Sequence, residues 1–264
     1  MQIQNRLFIV SGGASGLGLA TVKLLHGQGA YVSILDVNSG AGEEVVKELG
    51  GDQRARFFET DVTDTESVAA AVKGSVDFAK DKSVPLGGVL AGAGVGFPGL
   101  IISQKNEPLP LSSFDLVVAI NLRGTVDLIR QVLPHLAQNE PYGPDGERGV
   151  IIMVSSSAAF DGQMGQVAYA ASKGAVRSMT LPMARDLSRF GIRVVTLAPS
   201  LFESNMTAML SDKVRKSLER VMEFPRRPGK PEEFARTVKD AIENSMLNGE
   251  VIRLDGAMRM PSKL

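Results

Sequence analysis

Residues 11–18 read Ser11-Gly12-Gly13-Ala14-Ser15-Gly16-Leu17-Gly18, between an apolar run at residues 7–10 and a helical pattern at 17–28. Glycine permits a tight turn and lets the backbone approach a pyrophosphate closely, and the amino terminus of the following helix presents free N–H groups. The glycine spacing is wider at its start than in G-x-G-x-x-G, and a flexible turn without a ligand is the alternative. Its place after the first strand predicts a dinucleotide phosphate loop.

Short apolar runs and longer helical patterns alternate along the rest of the chain. The runs are partly β-branched and mostly bounded by Gly, Asp or Ser, as strands are. Predicted strands cover residues 7–10, 31–35, 56–58, 88–90, 150–154, 194–197 and 250–254. Predicted helices cover residues 17–28, 42–49, 66–79, 113–138, 167–190 and 232–245. This alternation is typical of a sheet covered on both faces. We predict an α/β fold: one Rossmann-type, doubly wound domain over residues 1–264, with a mostly parallel seven-stranded sheet.

Three segments interrupt this alternation. Residues 94–111 form a long stretch rich in Gly and Pro, residues 201–231 are a polar helical piece, and residues 139–149 have the composition of a surface insertion. Ligands of such sheets bind beyond the carboxyl ends of the strands. We therefore expect residues 94–111 to border a ligand and residues 201–231 to form a small segment that caps the substrate.

The composition excludes several classes of function. The 264 residues include 29 Lys and Arg, 29 Asp and Glu, two His and no Cys. Neutrality gives no support for nucleic-acid binding or a polybasic membrane patch, and no apolar run approaches the ~20 residues of a membrane span. Disulfides are excluded, and the two histidines share no metal-ligand spacing, so we expect no metal site. We see no signal peptide and expect a cytoplasmic protein.

Asp36 ends the second predicted strand, eighteen residues after Gly18. A carboxylate at about this offset accepts hydrogen bonds from the adenosine ribose and repels a 2′-phosphate. No arginine follows it, since the next residues are Val37 and Asn38. The pattern predicts NAD rather than NADP, with an ordinary strand-end turn residue as the alternative.

Tyr169 and Lys173 stand four residues apart in a helical pattern, so their side chains share a helix face. An ammonium beside a phenol favours the phenolate, and we expect it to lower the tyrosine pKa from ~10 towards neutrality. Such a hydroxyl is suited to proton transfer in carbonyl reduction. A solvated surface pair is the alternative. The strand at 150–154 runs into Ser155-Ser156-Ser157, any of which is placed to bind a substrate oxygen.

The order of these motifs resembles that of the short-chain dehydrogenase/reductase family, over almost the whole chain. The matching positions are Gly12, Gly16, Gly18, Asp61, Val62, Asn121, Ser156, Tyr169 and Lys173. The family's serine precedes its tyrosine by thirteen residues, which selects Ser156. Residues 12–20, 162–173, 180–187 and 247–257 are similar to the type-2 short-chain 3-hydroxyacyl-CoA dehydrogenases, which also oxidise hydroxysteroids.

The resemblance implies roles for individual residues. The implied catalytic residues are Tyr169, Lys173, Ser156 and Asn121, with Asn121 holding a water that links Lys173 to solvent. Substrate contacts fall to Ser156 and Gln163. The implied binding residues for NAD are Gly12, Ser15, Gly16, Leu17, Gly18, Asp36, Asp61, Val62, Gly92, Tyr169, Lys173 and Phe202. In this set Phe202 would cover the nicotinamide.

The resemblance also implies an assembly and a location. Family members pair the helices at residues 113–138 and 167–190 between subunits, so the expected state is a homotetramer. A mitochondrial location is the implied alternative to the cytoplasm.

The sequence departs from the family pattern at three places. Ser11 replaces a threonine and keeps the hydroxyl, while Ser200 replaces a glycine near the nicotinamide carboxamide. Ala91-Gly92 replaces two asparagines, so the side chain that usually braces the central sheet is missing. None of these changes removes a proton-transfer group.

The implied reaction interconverts a secondary alcohol and a ketone, with 3-hydroxyacyl-CoA or hydroxysteroid-like substrates. Tyr169 would take the hydroxyl proton as the nicotinamide takes hydride from the same carbon. A carbonyl or imine reductase with another substrate is the first alternative, favoured by residues 91–94 and 94–111. A non-catalytic dinucleotide-binding scaffold is disfavoured because the serine, tyrosine and lysine are all present. Arg226, Arg227 and Lys230 are candidates for binding CoA phosphates, and a solvated basic turn is an equal alternative.

Overall fold

A computed structural model describes residues 1–204 and 221–260. Its strands are β1 (Leu7–Ser11), β2 (Tyr31–Asp36), β3 (Ala55–Glu59), β4 (Leu86–Ala91), β5 (Gly149–Val154), β6 (Ile192–Pro199) and β7 (Glu250–Leu254). They form one sheet in the order β3-β2-β1-β4-β5-β6-β7, and every neighbouring pair is parallel. The predicted seven-stranded sheet is confirmed, and it is parallel throughout.

The helices of the described residues follow the predicted positions, with longer or shifted ends. They are α1 (Gly16–Gly27), α2 (Ser39–Glu48), α3 (Thr65–Asp81), α4 (Leu111–Val118), α5 (Thr125–Ala137), α6 (Val167–Leu187) and α7 (Pro231–Glu243). The helix predicted at residues 113–138 is two helices, because a π-helical turn at Ala119–Gly124 separates α4 from α5. A turn with one extra residue leaves no clear trace in a 3.6-residue apolar pattern.

Alternate residues of the central strands face two separate cores. Ile9 of β1 packs with Phe78 of α3 on one face of the sheet. Phe8 packs with Phe234 of α7 on the other face. β1, β4 and β6 are buried along their whole length because helices cover both faces. The strand order reverses between β1 and β4, which opens a crevice at the carboxyl ends of these strands.

The insertion at residues 139–149 is a hairpin closed between Tyr142 and Glu147. The prediction that residues 139–149 form a surface insertion is wrong at Glu147, which is buried. Its carboxylate forms an ion pair with Arg193 of β6 at 2.7 Å. Arg193 also donates to backbone carbonyls at the end of α7, including that of Ala241 at 2.7 Å. A buried charge needs such partners, so this end of the insertion belongs to the core.

Two segments remain irregular beyond the strand ends. Residues 94–111 form a loop with a short hairpin closed between Ile102 and Pro108. The expected capping segment at residues 201–231 is described at both its ends, and residues 205–220 lie outside the described part of the chain. None of the helices in the described ranges has the length and apolar character needed to cross a membrane.

Candidate active site

The crevice holds a cavity of about 360 Å³ along the carboxyl ends of the strands. Most of the residues predicted to bind a cofactor or substrate line it. They are Gly12, Ser15, Gly16, Leu17, Gly18, Asp36, Asp61, Val62, Gly92, Ser156, Tyr169, Lys173 and Phe202. Asn121 and Gln163 are the predicted site residues that do not line it.

The glycine loop turns sharply from β1 into α1. Gly12 has a φ of +67°, a conformation that residues with a side chain rarely adopt. A Cβ atom on Gly18 would overlap the carbonyl oxygen of Gly12, so both positions require glycine. Ser15 is the N-cap of α1, and its side chain makes no capping hydrogen bond to the first turn. The helix therefore presents its amino terminus to the cavity as an anion site.

Asp36 joins the end of β2 to the glycine loop. One of its carboxylate oxygens accepts the N–H of Ala14 at 3.1 Å, and the other accepts the N–H of Asn38 at 3.1 Å. A carboxylate has about four acceptor positions, so further hydrogen bonds from two hydroxyls in the cavity fit the same group. Asp61, further along the cavity, accepts both the N–H and the hydroxyl of Thr63.

Ser11 supplies a brace that sequence reasoning missed. Its hydroxyl oxygen accepts the N–H groups of Gly92 at 3.1 Å and Ala93 at 3.2 Å, which ties β1 to the end of β4. The Ser11 hydroxyl on the neighbouring strand thus braces the position from which the family's asparagine side chain is missing. Gly92 also passes so close that a Cβ atom there would lie 2.8 Å from the carbonyl oxygen of Ser11.

The three serines after β5 have different surroundings. The Ser156 hydroxyl is hydrogen-bonded to the Tyr169 hydroxyl, and its oxygen also accepts the N–H of Ala158 at 3.1 Å. Ser155 donates its hydroxyl to the backbone carbonyl of Lys173 at 2.8 Å. The Ser157 hydroxyl is buried without a hydrogen-bond partner. Of the three, Ser156 meets the tyrosine at the cavity.

Burial dominates the acid–base properties of Tyr169 and Lys173. It raises the pKa of Tyr169, and the hydrogen bond from Ser156 opposes this increase. Burial lowers the pKa of Lys173 to about 8. The expectation that Lys173 brings the pKa of Tyr169 down towards neutrality is therefore wrong for the protein chain alone. The Lys173 ammonium lies 5.9 Å from the centre of the tyrosine ring.

Asn121 occupies the π-helical turn and is completely buried. Its side-chain oxygen accepts the N–H of Val95 at 2.8 Å, and its amide donates to the Val95 carbonyl at 2.9 Å and to the Ser172 hydroxyl at 3.1 Å. The side chain thus holds the start of the 94–111 loop against α6. The water-holding role expected of Asn121 stays a prediction.

Gln163 and Phe202 differ in their relation to the cavity. Gln163 lies in the loop before α6, where its backbone N–H donates to the Gln166 side chain at 3.0 Å, and it does not line the cavity. Phe202 is buried, lines the cavity, and packs edge-on against Phe234 with 6.4 Å between ring centres. Apolar lining residues such as Ile120 were not predicted, and a single sequence gives no signal for them.

One of the three basic residues predicted to bind CoA phosphates is already engaged in an ion pair. Arg227 makes two hydrogen bonds to the Glu233 carboxylate, at 2.7 and 2.9 Å. This pairing lowers the pKa of Glu233 to about 2. Arg226 and Lys230 are exposed on the same segment.

These features fit a nicotinamide dinucleotide: a phosphate loop, a strand-end carboxylate, a close approach at Gly92, and a buried Ser-Tyr-Lys group. The family model described as short chain dehydrogenase matches residues 6–215. The chain belongs to this family. It is therefore an oxidoreductase that acts on CH–OH groups with a nicotinamide dinucleotide and interconverts alcohols and ketones.

Several relatives are similar over nearly their whole length. The 3-hydroxyacyl-CoA dehydrogenase type-2 of Drosophila melanogaster is 47% identical over 98% of this chain and 99% of its own. The human protein of the same name is 44% identical, over 98% of this chain and 97% of its own. A crystal structure of a 3-hydroxyacyl-CoA dehydrogenase type-2 from Mycobacterium avium has a TM-score of 0.91, at 37% identity and 98% coverage of both chains.

Proposed function

We propose that this protein is an NAD-dependent dehydrogenase of 3-hydroxyacyl-CoA thioesters and similar apolar secondary alcohols. The observation that carries the proposal is the buried group of Ser156, Tyr169 and Lys173 at one end of the dinucleotide cavity. The full-length similarity to 3-hydroxyacyl-CoA dehydrogenases type-2 supports the choice of substrate.

The preference for NAD rests on Asp36. Its carboxylate lines the cavity and is oriented by the N–H groups of Ala14 and Asn38. A negative charge at this point binds the two hydroxyls of an adenosine ribose and repels a 2′-phosphate. The neighbouring Val37 offers no positive charge to offset that repulsion.

The assignment of the phosphates follows from the glycine loop. Gly12, Ser15, Gly16, Leu17 and Gly18 would hold the pyrophosphate at the amino terminus of α1. At the two ends of the cavity, Asp61 and Val62 would flank the adenine, and Gly92 and Phe202 would enclose the nicotinamide.

Proton transfer is assigned to Tyr169. In oxidation the substrate hydroxyl lies between Ser156 and Tyr169, and its proton passes to the Tyr169 oxygen. The carbon–hydrogen bond breaks at the same time, and the bound nicotinamide supplies the acceptor for that hydride. In reduction Tyr169 returns the proton to the carbonyl oxygen. Ser156 orients the oxygen throughout, while Lys173, when protonated, stabilises the phenolate across the 5.9 Å that separates it from the ring.

Exposed apolar side chains on two helices support a proposal for the assembly. Large apolar side chains are exposed on α4 at Leu111 and Leu116, and on α6 at Leu181. These helices are the elements that family members pair, and we propose a homotetramer, tested by sedimentation velocity. For the compartment we propose the cytoplasm, with mitochondria as the alternative, and fractionation of cells that express the native protein separates them.

A coenzyme and substrate screen tests the proposed function. NADH and NADPH are compared with acetoacetyl-CoA, simple ketones and a steroid ketone. We expect acetoacetyl-CoA to be reduced with NADH far faster than with NADPH, and faster than the simple ketones. Absence of acetoacetyl-CoA turnover alongside reduction of another ketone would identify a carbonyl reductase with a different substrate.

A further inference from the structure

Phe160 lies just beyond Ser156, in contact with two arginines that belong to other elements. The guanidinium of Arg177, on α6, is 4.1 Å from the centre of the Phe160 ring, and that of Arg253, on β7, is 4.5 Å from it. The face of an aromatic ring attracts a guanidinium electrostatically. The half-buried ring therefore joins the segment after β5 both to α6 and to β7, the strand at the edge of the sheet.

Arg253 also forms ion pairs with two carboxylates. One terminal nitrogen of its guanidinium donates to the Asp161 carboxylate at 2.6 Å, and its Nε donates to the Asp255 carboxylate at 2.6 Å. The same terminal nitrogen donates to the Met258 carbonyl at 3.3 Å. At most 24% of the side chain is exposed in any of the three paired residues. Charge-assisted bonds that are largely shielded from water hold the guanidinium in one orientation.

Asp161 closes the short 3₁₀ turn that follows Ser156. Its backbone N–H and that of Phe160 both donate to the Ser157 carbonyl at 3.0 Å. The N–H of Ala159 donates to the Ser156 carbonyl, also at 3.0 Å. These bonds make the turn one unit, so a contact that fixes its end also fixes the orientation of the Ser156 side chain at its start.

Arg253 is close to the cavity but is not among the described residues that line it. It is the register partner of Ala198 on β6, immediately before the Pro199 and Ser200 that do line the cavity. A substitution of Arg253 therefore leaves the cavity walls unchanged in composition. Its effect on the reaction has to pass through the residues that the guanidinium holds.

We propose that Arg253 is a positioning residue: by holding Asp161 and Phe160, it fixes the turn that keeps the Ser156 hydroxyl on the Tyr169 hydroxyl. The proposal rests on the proposed function, which assigns the orientation of the substrate oxygen to Ser156. Lysine does not replace arginine here, because one ammonium lacks the planar group that bonds two carboxylates and stacks on a ring. Release of the turn displaces the Ser156 hydroxyl, and a displacement of about 1 Å in a site lowers turnover by up to about 100-fold.

Double-mutant cycles on kcat test the proposal. Arg253→Lys and Asp161→Asn each weaken the same ion pair, and both are made in the wild type and in Ser156→Ala. Asp161→Asn keeps the size of the side chain, so the test stands if Arg253→Lys does not fold. Arg193→Lys is the matched control, because Arg193 is a buried, ion-paired arginine at the amino end of the neighbouring strand β6. The substrate is the ketone that the wild type reduces fastest with NADH in the screen.

We expect Arg253→Lys and Asp161→Asn to lower kcat about tenfold in the wild type and less than about twofold in Ser156→Ala, because they act through the hydroxyl that is then missing. NADH affinity should stay within about twofold, since the cofactor walls are untouched. Arg193→Lys should lower the melting temperature and leave kcat within about twofold in both backgrounds. Equal losses of kcat in the two backgrounds, or no loss in either, would overturn the proposal.

Hydrogen exchange of residues 156–161, followed by mass spectrometry, separates this proposal from the proposed function. The N–H groups of Ala159, Phe160 and Asp161 are bonded within the turn, so they should exchange faster in Arg253→Lys and at the wild-type rate in Arg193→Lys. Wild-type turnover in Ser156→Ala would contradict the role that the proposed function gives to this serine. Faster exchange in Arg253→Lys would then still support the hold on the turn, and unchanged exchange would overturn it.

Discussion

The Lys173 ammonium donates a hydrogen bond to the Val154 carbonyl oxygen at 2.8 Å, at the point where β5 ends. This bond fixes the lysine side chain below the tyrosine ring without neutralising its charge. Lys173 is almost completely buried, and its burial lowers the pKa to about 8. The protein therefore holds a lysine whose charge changes near physiological pH.

The lowered pKa of Lys173 predicts a pH dependence of stability. An unfolded chain keeps this lysine protonated up to about pH 10.5, so it binds more protons than the folded chain between about pH 8 and 10.5. The contribution of Lys173 to the free energy of unfolding therefore increases with pH through this window. This contribution is fully present above about pH 10.5 and is lost below about pH 8.

Denaturant titrations of the wild type and Lys173→Met measure that contribution. Between pH 7 and pH 10, the free energy of unfolding of the wild type should gain about 2 kcal/mol relative to the variant. Other titrating groups cancel in the difference. A difference that stays constant with pH would show that the lysine titrates normally in the folded chain.

Replacement of Asp36 should alter the choice of coenzyme. Asp36→Ala removes the charge that repels a 2′-phosphate together with the acceptors for the ribose hydroxyls. Hydrogen bonds to a charged group contribute about 1.5–3 kcal/mol, so KM for NADH should rise about 10- to 100-fold. Asp36→Asn retains an acceptor and should lose less. Steady-state kinetics with NADH and NADPH measure both effects, and an unchanged NADH/NADPH preference in Asp36→Ala would contradict the ribose assignment.

Loss of the hydrogen bonds between the Asn121 side chain and the Val95 backbone, which we call the Asn121 clamp, should reduce turnover as well as stability. Asn121→Ala leaves the N–H and carbonyl of Val95 without their partner, and each such buried group costs about 1–3 kcal/mol. The released loop passes over Lys173, so we expect kcat to fall at least about tenfold, since small displacements in a site are costly.

Asn139→Ala is the matched control for the clamp. Asn139 also joins backbone segments through its amide, to the Leu86 and Arg148 carbonyls, but at the amino ends of β4 and β5. It should lower the melting temperature and leave kcat within about twofold. Similar kcat values in both variants would show that Asn121 has a structural role only.

The sequence patterns predicted the fold and the main positions of the site because both depend on local chemistry. Apolar runs mark buried strands, and glycines at 12 and 18 are required by backbone conformation and close approach. Contacts between distant segments left no local pattern. These include the brace from Ser11 to Gly92, the clamp from Asn121 to Val95, and the pair of Glu147 with Arg193.

Contacts between distant segments also explain why the predictions for the pKa of Tyr169 and for Arg227 differ from the structure. Lys173 and Tyr169 are adjacent on one helix face, as predicted, but the depth of their burial depends on elements far away in sequence. Arg227 is paired with the carboxylate of Glu233, which lies six residues later in the first turn of α7. The 94–111 loop has no regular period, so its short hairpin between Ile102 and Pro108 is visible only in the structure.

The proposed reaction depends on proton transfer by Tyr169, and Tyr169→Phe removes that step alone. The variant keeps the ring and loses the hydroxyl that meets Ser156, so NADH affinity, measured by fluorescence, should stay within about threefold. Turnover of the substrate identified in the screen should fall by about 10²- to 10⁴-fold, the usual contribution of a positioned acid or base. Turnover at the wild-type rate, with normal coenzyme binding, would show that Tyr169 does not transfer the proton.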